Sequence, residues 1–392
     1  MNFSKTSATM ADVVEQFLPA YKARYKLSPE QASACQSIIQ CQTDVLGGEI
    51  LHCDGCGHEL TLYHSCGNRH CPRCKQQATE HWTERQLEAL LPVTYYHLVF
   101  TLPHELNGWV QLHPEAIYNL LFQAVSETLK QFSQHHRRLR GQLGLTCVLH
   151  TWGQNLFRHV HLHCLIPGIA LKADQTAFEQ TQSEYLYPVD ALKKVFRGKM
   201  VGLLRDSYGQ GQLQRLRNIN EVNTILNAVM AKKWSIYIKP YLKKPESIVQ
   251  YLSRYTYRIA ISNQRILAVD EQEVSFRWKD YADHEQQKVM HLDGVAFLHR
   301  FLLHVLPRGY KRIRHYGFLA NCVRKSKVAL LRQLLKVKAR RVVEIKTGSV
   351  ESKTGLNSIC CPKCKKETLR VLQSILPLKY RRRLLAPSAE LI

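Results

Sequence analysis

The chain is expected to be an α+β protein: a helical, cysteine-rich N-terminal part, a mixed core and a basic helical C-terminal region. Three observations predict this. Helical stripes alternate with short runs of β-branched and aromatic residues, Cys-x2-Cys knuckles crowd into the first quarter, and basic residues far outnumber acidic ones. With 45% of 392 residues hydrophobic, there is material for at least two cores at ~150 residues per domain. Fifty-five Lys and Arg against 31 Asp and Glu leave a formal charge of +24. On a chain of ordinary apolar content, that surplus points to a polyanion, and long nucleic acid is the commonest one. The opening MNFSKTSATMADVVEQ has no basic region leading into an apolar run, so no secretory signal is read. No stretch of 18 apolar residues could span a bilayer. A cytoplasmic, nucleoid-associated location without membrane contact is expected.

The elements follow in order. Residues 10–45 read as helical, with Val13, Val14, Phe17, Leu18 and Tyr21 on one stripe. A helix over about 80–91 stops at Pro92, and Tyr95 to Leu102 reads as a strand ending at Pro103. A helical stretch over 112–134 runs into a basic turn, and strands are expected from Leu145 to Trp152 and from Arg158 to Ile166. The span 172–235 is mostly helical in pattern, followed by a strand over Trp234–Lys239 and a helix over 246–257. Residues 259–269 and 273–278 suggest a hairpin. Between Asp293 and Glu344 there is no acidic residue, a pattern suited to following a phosphate backbone.

Five cysteines fall in Cys53-Asp-Gly-Cys56 and Cys66-Gly-Asn-Arg-His-Cys71-Pro-Arg-Cys74. In a reducing compartment they are not read as disulfides. Two knuckles separated by 14 residues suit a tetrahedral zinc site, because each presents two thiolates to one ion. Cys53, Cys56, Cys71 and Cys74 are the expected ligands of a structural zinc, with Cys66, His64 and His70 able to replace one of them or hold a second ion. A second half-site lies at Cys360-Cys361-Pro-Lys-Cys364. Cys361 and Cys364 would hold a further zinc if Cys322, Cys35 or a neighbouring chain completed the set.

The sharpest pattern is Arg158-His159-Val160-His161-Leu162-His163-Cys164. On a strand the three histidines share one face and the aliphatic residues the other. Two imidazoles at i and i+2 can bind a divalent ion and leave its other positions open. In Tyr251-Leu-Ser-Arg254-Tyr255-Thr-Tyr257-Arg258, a helix would place Tyr251 and Tyr255 one turn apart, with Arg258 continuing that face. Taken alone, the pair reads as core tyrosines. Joined to the histidine strand and the net charge, it reads as phenolic nucleophiles toward phosphorus.

These residues resemble the HUH-type, two-tyrosine, rolling-circle insertion-sequence transposases that carry an N-terminal transposase zinc-binding domain. The matching stretches are Ser65–Cys74, Phe100–Pro103, Trp152–Asn155, His159–Cys164, Tyr251–Asn263, His304–Gly309 and Arg314–Asn321, in the family's order. The family's His-hydrophobic-His motif fits 159/161 or 161/163. Relatives usually carry Pro between the first two histidines, where this chain has Val160, so the resemblance puts the metal ligands on His161 and His163. A polar third ligand would be Gln154, with His150 as the alternative. The paired nucleophiles fall on Tyr251 and Tyr255.

The resemblance further implies a central antiparallel sheet carrying the histidines, with the tyrosine helix beside it. It implies Mg²⁺ or Mn²⁺ at the histidines and single-stranded DNA, at element ends and target, as substrate. Attack would leave a 5′-phosphotyrosine and a free 3′-hydroxyl. No Gly-x4-Gly-Lys-Ser/Thr loop occurs, so unwinding and synthesis would fall to a host helicase and polymerase. Arg254, Arg258, Lys311, Arg312 and Arg314 are expected to contact DNA. The domains are read as 1–92 helical and zinc-binding, 93–280 nuclease, 281–345 basic and helical, and 346–392 a tail. Two rivals share these features: a zinc-stabilised nucleic-acid-binding protein without chemistry, and a metal-dependent nuclease in which water attacks.

Overall fold

A computed structural model describes residues 8–74, 89–135, 139–183, 186–242, 260–281, 283–337, 360–366 and 368–385, without the side chains of 239–242 and 382–385. The helix expected over 246–257, and residues 80–88 of the one expected over 80–91, lie outside the described residues. Helices α1 (Met10–Arg24) and α2 (Pro29–Gln40) replace the single helical stretch expected over 10–45. Tyr25 leaves α1 in extended backbone, and Ser28 caps α2 in a capping box with Gln31. Pro29 sits in the first turn of α2, where its missing N–H is not needed.

The strands β1 (Gly48–Cys53) and β2 (Glu59–Tyr63) form a hairpin around the first cysteine knuckle. Strand β3 (Tyr95–Thr101) precedes helices α3 (Asn107–Leu112) and α4 (Pro114–His135). Then come β4 (Gln142–Trp152), β5 (Arg158–Pro167), β6 (Ile169–Leu171) and β7 (Phe178–Gln180). Helices α5 (Val189–Gly209) and α6 (Ile219–Ala231) lead to β8 (Ile236–Leu242). A meander of β9 (Ile266–Val269), β10 (Glu273–Asp280) and β11 (Gln286–Asp293) follows, then α7 (Gly294–Leu302). Strand β12 (Ile313–Gly317), α8 (Arg324–Leu334), β13 (Leu369–Ile375) and α9 (Leu378–Leu385) complete the described chain.

Among the described residues the strands form three sheets, and the fold is α+β with a large antiparallel sheet flanked by helices. The central sheet has seven strands in the order β7-β6-β4-β5-β3-β8, with β12 also paired to β4. Its two faces differ in chemistry. Tyr96, Leu98 and Phe100 of β3, Cys147 and Leu149 of β4, and Val160, Leu162 and Cys164 of β5 pack under α4 and α5 in the main core. The opposite face carries His97, His150, His161 and His163. Period-two alternation alone divides one strand between a core and a site.

Three domain expectations are corrected. The N-terminal helices do not form a separate unit with the knuckles: Val14, Phe17 and Tyr21 share a second core with Phe276, Phe297, Leu298 and Phe301. The approach is close enough that a Cβ on Gly294 would lie 2.1 Å from the Phe17 ring. The boundary at 280/281 cuts the β10–β11 hairpin, and the stretch read as basic and helical contributes β11 and β12. Gly317 ends β12 with φ +62, and a Cβ there would sit 1.6 Å from the Leu143 carbonyl, so only glycine closes that edge. The tail beyond 346 returns as β13, which pairs with β1 of the N-terminal sheet.

Candidate catalytic and metal-binding sites

The register of β4 against β5 places His150 opposite His161 and Val148 opposite His163. One possible ligand atom from each of His150, His161 and His163 lies within 4.8 Å of the others. His150 and His163 are buried, at 2% and 8% exposure, while His161 is half-buried and His159 exposed. The cluster therefore opens toward solvent along β5. His161 Nδ1 lies 2.7 Å from the His159 carbonyl; donating there would put the ring's lone pair on Nε2, where a metal ligand needs it. His163 Nδ1 is 2.9 Å from Nε2 of the buried His97 on β3. The Trp152 indole stacks on His150 at 4.7 Å and fixes that ring's plane.

Gln154, the first choice for third ligand, is not one of the three gathered imidazoles. It sits in the β4–β5 turn and lines a cavity of about 660 Å³ with Ser262, Arg265, Arg277, Trp278 and Tyr281. The alternative, His150, is the residue gathered with His161 and His163. That turn is tightly held: Arg265 donates to the Gln154 carbonyl and Arg300 to the Asn155 carbonyl. Leu156, buried and with φ +63, accepts from His304 Nε2 at 3.0 Å. Burial pulls His304 down to about 4, so it stays neutral and serves as a structural hydrogen-bonding residue.

Tyr251, Tyr255, Arg254 and Arg258 lie outside the described residues. Of the other expected DNA contacts, Lys311 is exposed, but Arg312 is buried at 8% exposure. Arg314 lies over the Phe122 ring at 4.2 Å and donates to Asn119. Arg312 is therefore corrected to a packing residue, whereas Arg314 is half-buried and still reaches the surface.

The cysteines divide differently from the expectation. Cys53, Cys56, Cys71 and Cys74 do not come together. Cys71 and Cys74 join Cys41 and Cys66, while Cys53 and Cys56 join Cys361 and Cys364. In the first tetrad, the Cys74 sulfur is 3.2 Å from Cys41 and 3.3 Å from Cys66. The Cys66 thiol and neighbouring backbone N–H groups hold Cys71 down to about 5. His70 is not a ligand: its Nε2 accepts from the Leu306 N–H at 3.3 Å. Arg69 donates to the carbonyls of Pro307 and Tyr310, each at 2.5 Å. The knuckle Asn68–Cys74 is thus bolted to the turn over 304–310, which explains why both motifs are present. Cys35 is buried, its thiol pushed up to about 11 by burial, and joins neither tetrad.

A sheet presenting clustered imidazoles, with two sets of four thiols beside it, defines a metal-binding α+β protein. Residues 144–327 match a family described as "Putative transposase", and residues 13–102 one described as "Transposase zinc-binding domain". The "Putative transposase y4qJ" of Sinorhizobium fredii (strain NBRC 101917 / NGR234) is 38% identical over 373 residues, covering 92% of this chain and 94% of the relative. The transposase for insertion sequence element IS801 of Pseudomonas savastanoi pv. phaseolicola is 28% identical over 306 residues, covering 73% and 69%. Among solved structures, the conjugative relaxase TrwC in complex with oriT DNA covers 64% of this chain and 96% of its own at 11% identity. The TM-score of that match is 0.26. The chain belongs to the insertion-sequence transposases of the rolling-circle HUH type, with an N-terminal transposase zinc-binding domain. No helix among the described residues is long and apolar enough to cross a membrane.

Proposed function

We infer that the chain cuts and rejoins single-stranded DNA at element ends and target, with Tyr251 and Tyr255 as nucleophiles and His150, His161 and His163 as ligands of a catalytic divalent ion. The observation that carries this reading is the convergence of three imidazoles on one sheet face, within 4.8 Å of one another, in a chain of this family. The donor set fits a metal. Three nitrogens suit Mn²⁺ or a later transition ion better than Mg²⁺, which prefers oxygen ligands. A bound divalent ion would supply polarisation of a phosphate oxygen.

The chain's own residues carry the bond changes. One tyrosine oxygen attacks phosphorus, the bond from phosphorus to the 3′ oxygen breaks, and that oxygen leaves as a hydroxyl with a proton. The phosphoryl group remains on the tyrosine as a 5′-phosphotyrosine. Joining reverses the step: a 3′-hydroxyl attacks the phosphotyrosine and the phenol departs. One ester is exchanged for another at each stage, so no ATP is consumed. The second tyrosine provides a place for a second cut while the first end is still held. Unwinding and synthesis are left to host helicase and polymerase.

The test is incubation of labelled single-stranded element ends with Mn²⁺, resolved on a denaturing gel, for wild type, Tyr251→Phe, Tyr255→Phe and the double variant. A protein–DNA adduct in wild type that vanishes in the double variant is expected. Cleavage that persists in the double variant without adduct would move the reaction to attack by water. Binding without cleavage would leave a DNA-binding protein.

A further inference from the structure

The cysteine pair near the C-terminus finds its partners more than 300 residues away. Cys56 and Cys361, 305 residues apart, have sulfurs separated by 3.6 Å, and so do Cys53 and Cys364, 311 apart. Four thiolates around one zinc, with bonds of about 2.3 Å, would have tetrahedral edges of about 3.8 Å. A disulfide would need about 2.05 Å. The observed spacing fits an ion and does not fit a bond.

The backbone is built to bring the two pairs together. Strand β13 runs antiparallel to β1, with Cys53 opposite Leu369 and Gly48 opposite Ile375. The Asp54 N–H donates to the Thr368 carbonyl at 3.0 Å, and Arg370 Nε donates to the Asp54 carboxylate at 2.6 Å. Beyond the strand, Arg381 of α9 donates to the Asp44 carbonyl. A Cβ on Gly47 would lie 2.4 Å from the Ile375 carbonyl, so close approach is written into the sequence.

The two knuckles also share a shape. Gly57, after Cys56, has φ +69, and Lys365, after Cys364, has φ +63. In each, the residue after the second cysteine donates its N–H to the carbonyl of the first cysteine, at 2.8 Å in both cases. A lysine held in the left-handed region costs backbone energy, and it is kept where the turn repeats that of the glycine knuckle. Thr368 adds an outer partner, its hydroxyl 3.0 Å from the Cys53 sulfur.

We propose that Cys53, Cys56, Cys361 and Cys364 bind a second structural zinc, distinct from one at Cys41, Cys66, Cys71 and Cys74, and that it clasps the two ends of the chain. The C-terminal segment is then part of the zinc-binding domain, although the matched domain covers only residues 13–102. Four thiolates leave no open position, so the ion serves architecture rather than catalysis. It closes a loop holding nearly the whole nuclease core, and longer loops lose more unfolded-state freedom on closure.

Native mass spectrometry of the full chain, purified with zinc under reducing conditions, tests the clasp; every protein compared carries H161A/H163A so that the imidazole face takes no zinc, and wild type here refers to the cysteines. Wild type is expected to hold two zinc ions per chain, C361S/C364S one, and the controls C322S and C360S two. One ion in wild type, or two in C361S/C364S, overturns the proposal. T368V keeps all eight thiolates and reports on the site without threatening the fold. It is expected to surrender one of its two ions to a chelating dye about ten-fold faster than wild type. Unchanged release of both ions from T368V contradicts the geometry, and that result decides the matter if C361S/C364S loses both ions by unfolding.

Discussion

On the proposed reading, the histidine cluster and the two cysteine tetrads solve the same problem, holding a metal, by opposite means. The histidines stand on neighbouring central strands, His150 opposite His161, and their positions are set by a ladder that would exist without any ion. The tetrad of Cys53, Cys56, Cys361 and Cys364 stands on turns and short strands at the rim, where little apolar surface is buried: β2 and β13 are largely half-buried or exposed, whereas Cys41 and Cys71 border the second core. A preformed site can bind, release and exchange ligands, as chemistry requires. A site whose surroundings lack a core depends on its ion for structure. On that reading the difference is the one between a reaction centre and a fastening.

The largest effect is expected at the histidines. His163→Ala should lower strand cleavage by roughly 10²–10³-fold, the loss of about 3–4 kcal/mol of transition-state stabilisation. The melting temperature should change little, because the ladder is unaltered. Rate and melting curve measured on the same preparation separate this outcome from simple unfolding.

Arg69→Ala should do the reverse. It removes the cation that satisfies the carbonyls of Pro307 and Tyr310 and should cost about 3 kcal/mol of stability. Urea denaturation is the check. Cleavage per folded molecule should be nearly unchanged.

Acid should weaken the packing around the sheet's histidine face through two buried imidazoles. Burial pulls both His304 and His315 to about 4 from the ordinary 6.5. The unfolded chain therefore takes up these protons first. Stability is fully present above pH about 6.5 and is lost as pH falls toward about 4, by roughly 3 kcal/mol for each group. Melting curves across that range should show the slope, and His304→Gln should remove its share.

The smallest of these effects is expected from His97→Gln. His97 reaches the presumed ligand set only through His163 Nδ1, so its loss should weaken Mn²⁺ binding by about 10-fold to 100-fold. Saturating Mn²⁺ should restore cleavage, which the His163→Ala variant should resist.

The same contrast explains what was readable in the sequence. His159, His161 and His163 against Val160, Leu162 and Cys164 form a local period-two pattern, so the histidine face could be read from one strand. His150 and His97 come from neighbouring strands, and cross-strand register is a long-range property with no local signature. Knuckle spacing marked Cys53, Cys56, Cys71 and Cys74 as metal-binding residue types, but spacing cannot say which knuckle meets which. Cys41 stands alone in sequence and carried no signal, while the partners of Cys361 and Cys364 were hidden behind some 300 intervening residues. Strand β12 looked like part of a basic helical stretch because its Arg and His residues mask alternation; pairing with β4 decided its state. The break between α1 and α2, which the reading of 10–45 as one helical stretch misses, has a local signal in Ser28-Pro29, a cap followed by a first-turn proline.

The imidazole face is proposed to serve tyrosine attack on DNA. The most direct test is to trap the covalent product on labelled single-stranded element ends with Mn²⁺ and identify the modified residue by peptide mass spectrometry. A 5′-phosphoryl adduct is expected on Tyr251 or Tyr255, absent from the Tyr251→Phe/Tyr255→Phe variant and strongly reduced in His163→Ala. Cleaved DNA carrying no protein, formed equally well by the double tyrosine variant, would contradict it.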